Sequence, residues 1–194
     1  MLRGATRILR LAFEPTATPA PTPDDEPLTD FVAYAGESML AGLLRLEAHR
    51  LTDLLNRSDE LELVEVLCLG LDGGVTEADR VVVDRAALVA VKAGDPRGSA
   101  MLRQHTRQVA VTAGAGRYLM HGYIHGRPGA DPMIHIGRRP PMVPLTDATI
   151  VYETAKGRQS DHASTLIINR DAADWIRPAR DADLATVRRA LGIA

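Results

Sequence analysis

Val81-Val82-Val83-Asp84-Arg85-Ala86-Ala87-Leu88-Val89-Ala90-Val91 and Leu166-Ile167-Ile168-Asn169-Arg170-Asp171-Ala172-Ala173-Asp174-Trp175-Ile176 align without a gap. Each opens on three aliphatic residues, turns at Asp or Asn, continues through Arg and small residues, and closes apolar. A repeat at this spacing fixes the architecture before any single element does. Upstream, residues 61–71 match 142–152 as a second apolar strand. Asp72-Gly73-Gly74 joins the first pair of strands, and its Asp-Gly is a hairpin signal. Lys156-Gly157 joins the second, in a connection longer by four residues. Further up, residues 42–48 face 116–122. Each unit therefore reads as strand, short helix or loop, strand, hairpin, strand.

The chain divides into four segments: an arm over 1–27, a first β unit over 28–98, a second over 99–180, and a closing helical tail over 181–194. Pro15, Pro19, Pro21, Pro23 and Pro27 make the arm unfavourable for both helix and sheet. Residues 28–56 admit two readings. Thr29 and Asp30 could cap a helix whose apolar positions include Phe31, Val32, Met39 and Leu43. Gly36 and Gly42 argue against one helix, and the repeat favours a strand over 43–48 followed by a helix over 50–56. Gln108 to Thr112 alternates as a half-buried strand. A unit of about 50–60 residues is marginal alone, so two copies should cover each other. The predicted fold is mainly β (α+β): a pseudo-twofold sandwich or paired barrels with short helices, further paired as a homo-oligomer.

Composition excludes more than it assigns. Aromatics are 4% of the chain, so the core rests on Leu, Val, Ile and Ala. A net charge of −2 gives no general attraction to nucleic acid or anionic membrane. Cys68 is the single cysteine, which rules out an internal disulfide and reads as a small buried hydrophobe. No window approaches the roughly 18 apolar residues of a membrane span. Arg3, Arg7 and Arg10 interrupt the apolar start too often for a secretory leader. The expected location is cytoplasmic.

No catalytic frame is present. Gly114-Ala115-Gly116 lacks the third glycine of a dinucleotide fingerprint, and no serine sits in a nucleophile elbow. The metal candidates are His121, His125 and His135. Three histidines could bind zinc and leave a position open, but His121 and His125 on one strand face lie about 13 Å apart, too far for one ion. Arg127, Arg138 and Arg139 could hold an anion or an acidic partner. Tyr118 and Tyr123 are the aromatics near enough to stack a base. The Asp84-Arg85 and Asn169-Arg170 pairs, repeated in place, read as turn chemistry after a strand.

The arm separates its charges. Residues 1–13 carry three Arg and no acid, while 14–30 carry Glu14, Asp24, Asp25, Glu26 and Asp30 and no base. Leu2, Ile8, Leu9 and Phe13 could form the apolar side of a short docking helix, which would need a partner surface.

The strand Pro144-Leu145-Thr146-Asp147-Ala148 followed by Ile168-Asn169-Arg170 resembles uncharacterised bacterial small-β-barrel proteins of the Sm-like or split-barrel type. The resemblance covers residues 118–177, with an echo in 43–91, and implies architecture but no activity. The functional expectation is a non-enzymatic assembly or accessory protein that docks a protein partner through its arm and needs no cofactor. The alternatives are a small-molecule or metal-binding protein, or a hydrolase, using the histidines, and a nucleic-acid-binding barrel.

Overall fold

The computed structural model describes residues 28–93, 107–190 and 192. The arm residues Leu2, Ile8, Leu9 and Phe13, and the boundary expected at 98/99, lie outside them. The described chain is mainly β. The first unit holds β1 (Leu28–Ala35), β2 (Ser38–Arg45), α1 (Leu51–Arg57), β3 (Glu60–Gly70), β4 (Val75–Asp84) and β5 (Leu88–Ala93). The second holds β6 (Arg107–Ala115), β7 (Tyr118–Gly126), β8 (Met142–Thr154), β9 (Gly157–Asn169), β10 (Trp175–Pro178) and α2 (Asp181–Ala190).

All ten strands form one antiparallel sheet in the order β10-β6-β7-β8-β9-β5-β1-β2-β3-β4. The expected paired barrels are not there, because the sheet is open and neither unit closes on itself. The units also do not stack as a sandwich. They join side by side, through β9 of the second and β5 of the first. Two hydrophobic clusters result, each drawn mainly from one unit and completed by residues of the other. At the join, successive residues alternate between them: Phe31, Ala33 and Ala35 enter one and Tyr34 the other, while Ile167 enters one and Leu166 and Ile168 the other. The clusters therefore occupy opposite faces of the sheet there.

The helix over 50–56 is borne out as α1, whose Leu54 and Leu55 pack into the first cluster. Thr29 and Asp30 cap no helix; they lie on β1, which hairpins through Gly36 (φ +55°) into β2. The strand expected over 43–48 begins earlier, at Ser38.

The repeat is real, but its upstream register is shifted. Val32 pairs with Ala41 as Thr112 pairs with His121, so Gly42 corresponds to Gly122 and not to Gly116. Leu61 faces Val83 as Val143 faces Ile168, so Leu61 corresponds to Val143 and not to Met142. The second connection is thus three residues longer rather than four. Both units carry the same bulge, at matching places. Glu65 (φ 52°) and Asp147 (φ 48°) are each an extra residue, opposite Gly42 and Gly122 respectively. A Cβ on either glycine would stand 3.1 Å from a bulge carbonyl, that of Val64 or of Thr146.

Three of the four tyrosines bind the units together. The rings of Tyr34, Tyr118 and Tyr152 sit 5.6–6.0 Å apart, all buried. Tyr34 and Tyr152 both donate to the Asp161 carboxylate, at 2.7 and 3.1 Å. Asn56 of α1 brackets the backbone of Met142, accepting from its N–H and donating to its carbonyl, both at 3.0 Å.

Candidate functional site

Five residues stand directly opposite one another across five adjacent strands of the second unit. Arg177 on β10 pairs with Thr112 on β6, Thr112 with His121 on β7, His121 with Thr149 on β8, and Thr149 with His162 on β9. Directly opposed residues share a face, so these side chains form one polar row on the side away from the unit's core. The matching row in the first unit is Lys92, Val32, Ala41, Leu67 and Glu77. Its three central positions are apolar where the second unit has Thr112, His121 and Thr149. The two units act as each other's control: this fold builds the centre of the row from hydrocarbon in one and from polar groups in the other.

The helix α2 packs against β8 and β9 on this side. Asp183 and Val187 are its buried residues. Asp183 accepts from Arg177 at 2.8 Å and from the Arg180 backbone N–H at 3.2 Å. Burial works against the Asp183 charge, but these bonds and the nearby guanidinium charges outweigh it and hold the carboxyl below its ordinary range. Under this cover Thr112, His121 and Thr149 are all buried. Three consecutive members of the row keep a buried polar atom without a partner among the described residues: Arg177 Nε, Thr112 Oγ1 and His121 Nδ1. Such atoms are rare in folded proteins, and each one invites an explanation. Burial pushes the His121 imidazole below its ordinary pKa, against the opposing pull of the Val111 carbonyl and of the Asp147 and Asp183 charges. At the far end His162 lies 3.6 Å from Asp147, the bulge residue.

The predicted site residues are dispersed. His121 and His125 do share a face of β7, as alternation requires. His121 enters the polar row, while His125 bonds Thr146 Oγ1 at 2.7 Å. Burial, and then the Arg139 charge, lower the His125 pKa. His135 is exposed on the loop before a 3-10 turn. Among the described residues no three His, Cys, Asp or Glu side chains are placed to hold a metal ion. Arg127 and Arg138 are exposed. Arg139 is half-buried and donates to the His125 carbonyl at 2.7 Å. Tyr118 is buried between the units and unavailable to stack a base.

The repeated Asp/Asn-Arg pairs are turn chemistry, and more. Asp84 and Asn169 each accept from the N–H two residues on. Arg170 then gathers the carbonyls of Ile136, Gly137 and Arg139, and Arg85 reaches those of Leu55 and Asn56 at the end of α1. The sequence reading missed Thr112, Thr149, Arg177 and Asp183. For Thr112 and Thr149 the signal was the contrast between repeats, which appears only in the true register; Arg177 matches Lys92, and Asp183 lies outside the repeat.

No protein-family model matches the chain, no curated protein matches it, and no solved structure matches it. Among the described residues, no helix is long and apolar enough to cross a membrane.

Proposed function

We propose that this chain is a non-enzymatic interaction protein in which the first unit is the structural body and the second, marked by the buried polar row beneath α2, is the unit adapted for recognition. What carries the reading is the substitution of Thr112, His121 and Thr149 for Val32, Ala41 and Leu67 at matching places of one repeated fold. Unpaired buried polar atoms lower stability, and departures from local rules concentrate at functional sites. The arm, through Leu2, Ile8, Leu9 and Phe13, is the proposed tether to a protein partner, on the strength of its segregated charge.

The test gives the second unit the residues of the first: Thr112→Val, His121→Ala and Thr149→Leu together. The expected result is a melting temperature raised by a few degrees and loss of the protein partner seen by native mass spectrometry of material from the protein's own host. A variant that is destabilised and keeps its partner would make the row structural.

A second reading is favoured by one observation, that Arg177 Nε, Thr112 Oγ1 and His121 Nδ1 are left unpaired side by side. A small neutral polar molecule held there would satisfy all three. It would appear as added mass on the wild type that the triple variant lacks.

A further inference from the structure

Among the described residues the sheet ends on two open edges, β4 and β10. The internal join shows what each counterpart accepts, since β9 corresponds to β4 and β5 to β10. In that join Ala90 faces Ile168, Val91 faces Ile167 and Ala93 faces Thr165. Ile167 is fully buried. Asn169 Nδ2 donates to the carbonyls of Arg85 and Leu88, at 3.3 and 2.9 Å. On the open edge Val82 takes the place of Ile167 and is 38% exposed. The β4 edge thus keeps the apolar seat that β9 uses.

A second copy of the chain would bring β10 to that seat, and three positions oppose it. Trp175 stands where the join has Ala90. Its indole lies where a Cβ on Gly114 would be, at 2.5 Å, with the Arg177 guanidinium 4.0 Å from the ring centre, so it is held on its own unit. Pro178 stands where the join has Ala93. The Ala179 N–H points at the Ala110 carbonyl of β6, so by alternation position 178 faces outward, where proline has no N–H to give. Asp84 stands where the join has Asn169, and a carboxylate cannot donate to the carbonyls it would meet. Proline and charge on an edge are recognised means of refusing a like strand.

We propose that the β4 edge is a strand acceptor for a partner protein, and that Asp84, Trp175 and Pro178 keep second copies of this chain out of it. The occupant it fits is an extended segment with a small residue opposite Val83, an aliphatic one opposite Val82 and a free N–H opposite Arg80. Glu77, Asp79 and Asp84 outnumber Arg80 on β4 and leave the edge net acidic, so a basic side chain completes the fit. The proposal rests on the interaction reading but uses a different surface from the polar row.

The probe is a peptide of residues 86–94, the β5 sequence, titrated into the full chain with hydrogen exchange of the β4 amides as readout. Exchange at 80–83 should slow by about tenfold or more, and Val82→Glu should abolish this without lowering the melting temperature. A peptide of residues 173–180, the β10 sequence, should give no protection. No protection by the first peptide, or equal protection by both, overturns the proposal. In a second arm, Asp84→Asn, Trp175→Ala and Pro178→Ala together should produce concentration-dependent association in sedimentation. Wild-type association abolished by Val82→Glu would show that copies do use the edge. The polar-row variant separates the two ideas: if it keeps its partner while the β5 peptide still binds β4, the row reading fails and the edge survives.

Discussion

Asn169 is 3% exposed and its amide joins the units by two donated bonds to backbone carbonyls. Asn169→Asp keeps the shape and its Oδ1 acceptor, but sets a carboxylate against those oxygens. The expected cost is about 2–4 kcal/mol, read as a lower urea midpoint at unchanged slope. Thr112→Val alone should act in the opposite direction. It removes a buried hydroxyl oxygen that has no partner and should add about 1 kcal/mol. Polar residues in the Asp/Asn-Arg motif were legible as turn formers, because an acceptor two residues before an N–H acts locally. The long reach of Arg170 to Ile136, Gly137 and Arg139 was not legible, because nothing local specifies it.

Each unit is built around a bulged strand pair at matching places, so the bulge leaves the offset between the copies unchanged; one residue of register was lost because an aliphatic run matches nearly as well one step over. A slip of one position turns every side chain to the other face without changing the apolar run that marks the strand. Gly122 faces this bulge, and a Cβ there would meet Ala148 Cβ at 3.0 Å and the Thr146 carbonyl at 3.1 Å. Gly122→Ala should therefore cost about 1–3 kcal/mol, and Gly42→Ala a similar amount, by thermal or denaturant unfolding. If both are neutral, the bulges are looser than the contacts indicate. At the same scale α1 and the loop before β8 were legible as different fillings of one slot, since both follow the second strand of their unit.

The whole molecule should respond to pH from both sides. His121 and His125 are held below their ordinary pKa by burial, His125 also by the Arg139 charge. As pH falls the unfolded chain binds protons first, so the stability these rings carry is complete above about 6.5 and is lost below it. The Tyr152 phenol is pushed up to about 12 by burial and the Asp161 charge, and those of Tyr34 and Tyr118 are raised further, chiefly by burial. Here the unfolded chain loses protons first, so stability falls as pH rises above about 10. Unfolding free energy should be flat between these windows, and Tyr34→Phe should reduce the alkaline fall. Residues 28–93 alone should not fold, since Met142 and Ile167 of the second unit complete the first unit's cluster; a cooperative melt of that fragment would contradict this.

By itself the sequence determined that the described chain is mainly β and that it repeats, and it favoured, without deciding, a helix over 50–56. Aliphatic runs, turn residues and spacing are local quantities, and the chain states them directly. Only the tertiary structure decided that the two units share one open sheet rather than forming barrels or a sandwich. Edge pairing between β5 and β9 depends on which strand meets which across the whole chain, and both edges are equally aliphatic in sequence. The polar row likewise assembles from five strands spread over residues 112–177, and only the pairing register puts its members side by side.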